Sequence, residues 1–357
     1  MPPTPLIASD AHLGHDGLVE VVGGREVACY ESPARASAIR EALLATGDFV
    51  LEPPTDHGPD PISAVHDLEV IDVVEHAWTD AVADGWDPER PLLPDTFLLR
   101  AYAAGMALEQ LPPARHQRLG AYCFDTGTPI VAGTAAAARA AVDIGLTALD
   151  HVLAGAPLAY ALCRPPGHHA GRTLIGGYCY FNNAAICAQS LVDRGSRRVA
   201  ILDVDFHHGN GTQQVFWERG DVLYVSLHGD PAASYPSFSG FALERGEGAG
   251  EGATLNFPLP PGTDGAAYGA TLREALDAIR AFDPDAPLIL SLGFDTYHAD
   301  PICNLALVTG DYAGIGAAVA GLGLGVVALQ EGGYAVDALG ANAVAFLGGL
   351  REGIADR

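Results

Sequence analysis

Five short, almost wholly apolar runs constrain this chain more than any other feature: Leu158–Leu162, Val199–Val204, Val222–Leu227, Leu288–Leu292 and Val326–Leu329. A strand with one wet face alternates apolar and polar residues, so runs this continuous belong to strands covered on both faces. Helical patterns lie between several of them, at Ala184–Asp193, Gly211–Glu218, Ala266–Ala281 and Tyr312–Leu322, and an Ala-rich helix, Thr134–Leu153, leads into the first. Strands alternating with helices predict a parallel sheet inside two helical layers. The chain has 357 residues, 49% hydrophobic and 18% charged, enough to bury the core of one large α/β domain.

The first third is less regular. Arg35–Thr46 and Val65–Ala83 read as helices, and the Pro-rich stretch from Gly85 to Pro113 as an insertion loop within a single domain spanning 1–357. The uncharged run Ala313–Leu329 is long enough to raise the question of a membrane span, but Gly321, Gly323 and Gly325 would break any single helix. It reads as a helix turning into a buried strand, and no membrane span is expected.

Lys and Arg number 19 against 44 Asp and Glu, a formal charge of −25. That balance argues against nucleic acid, whose phosphates are bound by clustered Lys and Arg, and favours a cationic partner. Six cysteines, at 29, 123, 163, 179, 187 and 303, are scattered with no CxxC pair. Reduced thiols in a cytoplasmic enzyme are the expectation. The opening Met-Pro-Pro-Thr-Pro has no signal-peptide character.

Each apolar run ends in polar residues. Arg164-Pro165-Pro166-Gly167-His168-His169 follows the first and Asp203-Val204-Asp205-Phe206-His207-His208-Gly209 closes the second. Ser226-Leu227-His228-Gly229, Gly293-Phe294-Asp295 and Glu331-Gly332-Gly333-Tyr334 end the other three. Ligands of open parallel sheets bind outside the carboxyl ends of the strands, so these residues are expected to share one rim.

Asp205 and His207, at spacing i, i+2 on an extended segment, point the same way. With Asp295 they would form a three-ligand metal site with room for water and a substrate carbonyl. His168 and His169 cannot both be protonated cheaply beside a divalent metal, and each needs a partner on its far nitrogen. Asp203 is the expected partner of His168 and Asn210 that of His169. A carboxylate stabilises an imidazolium and an amide does not, so His169 is the expected general base and His168 the electrostatic helper. Tyr334 follows a Gly-Gly pair that reads as a hinge, from which its phenol can donate to an oxyanion. Tyr178 and Tyr235 are candidate walls of an aromatic channel.

Together these strings, with Asn210-Gly211-Thr212 continuing the second, resemble the arginase–deacetylase superfamily and, within it, the bacterial histone deacetylase-like amidohydrolases. Gly176-Gly177-Tyr178-Cys179-Tyr180-Phe181-Asn182-Asn183, Ser226 to Pro231, and Ser291 to Thr296 leading to Asp300-Pro301-Ile302 look like the acetylpolyamine amidohydrolase branch. The resemblance is dense from about Leu162 to Gly340. It implies a three-layer α/β fold around an eight-stranded parallel sheet, with zinc at Asp205, His207 and Asp295, tandem histidines at 168 and 169, and Tyr334 as oxyanion donor. Two carboxylates and an imidazole also suit iron(II).

It further implies a structural potassium held by Asp203, Asp205, Ser226 and the carbonyls of His207 and Leu227, and a second monovalent site near Phe216, Arg219 and Val222. The insertion falls where this branch carries a loop that supports dimers and narrows the entrance. The branch's polyamine enzymes have acidic residues before the Ala-rich helix; His116 and Gly127 stand at two such positions, while Glu20 fits a third and Asp125 lies close by. The expected substrate is a small acetylated cation: an acetylpolyamine, an acetylated diamine or an acetyl-lysine-like amine. The alternatives are a protein lysine deacetylase of the histone deacetylase type and a ligand-binding relative that has lost its chemistry. The complete set of ligands, histidines and tyrosine argues against the latter. A single metal beside His-His and Tyr argues against the two-manganese arginases.

Overall fold

The computed structural model describes residues 1–99 and 111–357. Eight parallel strands form the central sheet: β1 (Thr4–Ile7), β4 (Phe49–Glu52), β5 (Leu158–Ala161), β6 (Val199–Asp203), β7 (Val222–Gly229), β8 (Thr254–Leu259), β9 (Leu288–Leu292) and β10 (Val326–Gln330). Their order is β4-β1-β5-β10-β9-β6-β7-β8, and β2 (Val19–Val22) with β3 (Arg25–Ala28) makes a separate antiparallel hairpin. Every residue of β5, β6, β7, β9 and β10 is buried, which is why their sequences show no polar alternation.

Alternate residues of each strand serve opposite helical layers. Val327 and Leu329 face α2 (Leu68–Ala83), α3 (Thr134–Leu153) and α4 (Asn183–Asp193), in one core with Ile201 and Ile289. Val326 and Ala328 join Leu202 and Leu290 in the other, under α1 (Pro33–Ala45), α6 (Gly265–Phe282), α7 (Thr309–Ala320) and α8 (Val336–Ala355). A further short helix, α5 (Asn210–Phe216), starts at the rim.

The five expected strands and the helices between them are present. Ala313–Leu329 is the end of α7 followed by β10, and among the described residues no helix is long and apolar enough to cross a membrane. All six cysteines are unpaired. Three strands of the central sheet (β1, β4 and β8) carried no clear signal, nor did the β2–β3 hairpin or α8. Val65–Ala83 proves shorter as a helix, beginning at Leu68 after a separate turn at Asp60–Ser63. Of the Gly85–Pro113 insertion, residues 100–110 lie outside the described residues; its near part is tied down by paired backbone hydrogen bonds between Leu92 and Ile130.

Candidate metal-dependent hydrolase site

Because β5, β10, β9 and β6 are consecutive in the sheet, the segments after them meet above its middle. Asp205, His207 and Asp295 are buried and present ligand atoms within 4.8 Å of one another. His207 Nδ1 lies 3.0 Å from Asp295 Oδ2, and the backbone orients both carboxylates. Gly332 N donates to Asp205 Oδ2 at 2.7 Å and Phe206 N to Asp295 Oδ1 at 2.9 Å. Among the described residues the only ion-pair partners of the two carboxylates are His168 and His207. Burial, and then the neighbouring Asp205, push the Asp295 carboxyl up to about 7. Two oxygen donors and one nitrogen donor, from two buried carboxylates and an imidazole, fit a divalent cation.

The tandem histidines take the partners expected of them. His168 Nδ1 is 3.1 Å from Asp203 Oδ2, and His169 Nδ1 is 2.7 Å from Asn210 Oδ1. Burial alone would favour neutral His168; Asp205 and Asp203 outweigh it and hold the ring up at about 10. Burial, then His168 and His207, push His169 well below the ordinary histidine value. The two rings are therefore shifted in opposite directions, His168 up and His169 down.

Tyr334 is held rather than hinged, which corrects the reading of Gly332-Gly333. A Cβ on Gly332 would collide with the Asp295 and Asp205 carboxylates, so the glycine is needed for close approach. Gly333 O accepts from Arg35 Nε at 2.6 Å, Tyr334 N donates to Asp300 Oδ2 at 2.6 Å, and the Arg35 guanidinium lies 4.6 Å from the Tyr334 ring centroid. Arg35 was not singled out from the sequence, and Asp300 and Glu331, though part of quoted motifs, were given no role there. Glu331 is buried and accepts from Gly167 N at 2.7 Å, His168 N at 3.2 Å and Ser291 Oγ at 3.0 Å, tying the histidine turn to the tyrosine turn. Its place immediately before Gly332-Gly333-Tyr334 was the available signal.

A cavity of about 540 Å³ opens onto His169, His207 and Tyr334, with Tyr178, Tyr235 and Glu20 in its lining. Glu20 is buried, on β2, and accepts from Tyr178 Oη at 2.8 Å. Burial pushes its carboxyl up, against the Tyr178 hydrogen bond. Gly127 also lines the cavity; His116 does not. Arg115 is clamped to α2 through Asp72 at 2.9 Å and Asp80 at 3.3 Å, and this turns His116 away towards Asp84, 3.6 Å distant. His116, expected in the substrate channel, is not among the residues that line the cavity. Asp203 and Ser226 are buried beside one another in register on β6 and β7, and Leu227 follows; Ser226 Oγ bonds His228 Nδ1 at 2.7 Å.

The histone deacetylase domain model matches residues 29–350. The chain belongs to the histone deacetylase family. Within that family it is 45% identical over 352 residues to acetylpolyamine amidohydrolase 1 of Pseudomonas aeruginosa, covering 98% of this chain and 99% of the relative. It is 39% identical to the acetylpolyamine amidohydrolase of Mycoplana ramosa, covering 97% and 99%. Among solved structures, the acetylpolyamine aminohydrolase of Burkholderia pseudomallei superposes with a TM-score of 0.90 at 39% identity, covering 97% of this chain and 98% of that one. The eight-stranded α/β architecture is therefore shared along nearly the whole length.

Proposed function

We propose that this histone deacetylase family member is a zinc-dependent hydrolase that removes the acetyl group from small acetylated amines bearing a free cationic end. The observation that carries the reading is the convergence of Asp205, His207, Asp295, two differently partnered histidines and Tyr334 on one cavity. A zinc ion held by Asp205, His207 and Asp295 would polarise the amide carbonyl and acidify a water. The remaining chemistry belongs to the chain. His169 keeps its proton on Nδ1, facing Asn210, so Nε2 is free to take a proton from the attacking water and return it to the leaving amine. His168, paired with Asp203, stays cationic and offsets charge on the buried carboxylates. Tyr334 donates its phenolic O–H to the carbonyl oxygen as negative charge gathers there.

Tyr178 and Tyr235 suit a slender aliphatic chain, and Glu20 supplies a carboxylate for its far ammonium group. Three of the relatives whose names speak of acetylpolyamines match along almost their whole length, which supports the substrate class. The −25 formal charge favours such a cation and disfavours nucleic acid and anionic membrane surfaces. Potassium, at Asp203, Asp205, Ser226 and the carbonyls of His207 and Leu227, would offset further buried negative charge. A second monovalent ion near Phe216, Arg219 and Val222, a homodimer and a cytoplasmic setting complete the proposal. Six unpaired cysteines agree with that setting.

The test is a panel of acetylputrescine, acetylcadaverine, acetylspermidine and acetyl-lysine peptides compared by kcat/KM, with metal content measured on the same samples. Turnover of the small amines, with weak preference among chain lengths and little action on folded acetylated proteins, is expected. Efficient deacetylation of a folded protein with the small amines untouched would move the assignment to a protein lysine deacetylase.

A further inference from the structure

Two carboxylates line the cavity besides the metal cluster, and their lone pairs are spent differently. Glu20 accepts one hydrogen bond on each oxygen, from Tyr178 Oη at 2.8 Å and from Tyr30 N at 3.3 Å. Asp125 accepts four from nitrogen and oxygen donors, besides a long contact from Cys123 Sγ at 4.0 Å. Tyr235 Oη and Gly177 N both donate to Oδ2 at 2.7 Å; Gly127 N donates to Oδ1 at 3.1 Å and Thr128 Oγ1 at 2.8 Å. An ionised carboxylate has about four acceptor positions, so Asp125 has none left for a ligand, whereas Glu20 keeps two.

The four donors to Asp125 come from three separate loops. Tyr235 is held directly, its ring perpendicular to His169 at a centroid distance of 5.1 Å. Tyr178 is held through its neighbour Gly177 and through Thr128, whose hydroxyl accepts from Tyr178 N at 3.1 Å while donating to Asp125. Asp125 thus holds the Tyr235 side chain directly and the backbone that carries Tyr178, whose hydroxyl is held by Glu20.

We propose that Asp125 is a positioning residue that sets the width of the substrate entrance by fixing Tyr178 and Tyr235 relative to each other, and that it does not receive the substrate's ammonium group. The proposal rests on the deacetylase reading for its substrates, but its structural half does not. Asparagine at 125 keeps the shape and turns one acceptor edge into a donor that faces Gly177 N–H and the Tyr235 hydroxyl, or Gly127 N–H and the Thr128 hydroxyl. The loops should then part.

The experiment compares wild type, Asp125→Asn, Tyr235→Phe and Glu20→Gln on three amides: N-acetylputrescine, its uncharged analogue N-acetylbutylamine, and acetyl-lysine within a tripeptide. In Asp125→Asn the kcat/KM ratio of acetylputrescine to the tripeptide should fall about tenfold, the scale of one lost charge-assisted hydrogen bond, with metal content unchanged. The ratio of acetylputrescine to acetylbutylamine should hold within about twofold, while Glu20→Gln should lower that ratio and spare the first. Amide hydrogen exchange over 125–128 and 176–178 should quicken about tenfold in Asp125→Asn. Should that variant not fold, Tyr235→Phe, which removes one donor and leaves the carboxylate, must lower the width ratio by itself. A charge ratio that collapses in Asp125→Asn as it does in Glu20→Gln would overturn the proposal, as would wild-type exchange rates or an unchanged width ratio in Tyr235→Phe. Exchange is read on resting protein, so it decides the matter whether or not the deacetylase reading survives.

Discussion

Two buried charge clusters lie side by side at the rim of the sheet and close their charge in opposite ways. Around Glu31, one carboxylate faces two guanidiniums, Arg35 at 2.7 Å and Arg164 at 2.8 Å, and the arginines spend their other donors on the carbonyls of Gly333, Glu331 and His12. Burial would raise the Glu31 carboxyl, but Arg164 and Arg35 outweigh it and hold it low. At the candidate metal site the carboxylates diverge. Burial, then Asp205, push Asp295 up to about 7, while His168 and His207 outweigh burial and hold Asp205 low. The nearby Glu331 is pushed up to about 7, chiefly by burial. The histidines show the same contrast. His15, 3.7 Å from Glu31, is pushed down to about 4, chiefly by burial, whereas His168 is held up at about 10 by Asp205 and Asp203. The first cluster closes its charge with arginines, which stay cationic. Among the described residues, Asp205 and Asp295 face only histidines, which can give up their protons to make room for a cation.

The sharpest way to break this contrast is to remove a ligand. His207→Ala or Asp295→Ala should abolish metal retention and turnover together; a folded variant keeping a full equivalent of metal and normal activity would refute the ligand set. The counterpart is Glu31→Gln, which leaves two buried guanidiniums without their carboxylate. It should cost about 3–5 kcal/mol in denaturant unfolding while metal stoichiometry is kept. Stability equal to wild type would mean that the arginines, not Glu31, hold the cluster. Tyr334 touches both, its ring beside Arg35 and its side chain in the lining of the cavity. Tyr334→Phe should lower kcat by about 10²–10³ with KM little changed; a raised KM at full kcat would leave the residue a wall only.

The smallest effect concerns pH. The folded value of His15, about 4, lies below its unfolded 6.5, so its contribution is full above 6.5, shrinks as the pH falls and is gone below about 4. Between pH 8 and 5 this ring should cost about 2 kcal/mol of stability. His15→Gln should flatten that part of the profile, and an unaltered slope would show that the ring is already charged when folded.

What could be read from the sequence follows the same division. The ligand-requiring cluster sits at the ends of strands buried on both faces, so its residues stand directly after legible apolar runs, and even the partners of His168 and His169 could be named. The self-neutralising cluster draws on the irregular first third. Glu31 and Arg35 are spaced as a surface helix pair would be, and nothing local reveals that both are buried. The edge strand β4 escaped because Val50 and Leu51 are exposed, giving four residues with no pattern. In α8, Gly340, Gly348, Gly349 and Gly353 read as breakers. At Gly349 the reason is contact: a Cβ there would strike the Ala313 carbonyl of α7, so the helix accepts lower propensity for a closer approach. His116 was misplaced because spacing along the chain carries no information about the clamp between Arg115 and α2.

The place of β10 in the sheet has a consequence for synthesis on the ribosome. It is the last strand to be made, yet it lies between β5 and β9, near the middle. Until it emerges, those two strands present open edges to water and to other chains, and Asp205 lacks the Gly332 N–H that orients it. A nascent chain halted before about residue 326 would therefore carry most of the core, no finished site and two adhesive edges. Such a chain needs shielding during translation, and truncation there should yield aggregate rather than a partly active enzyme.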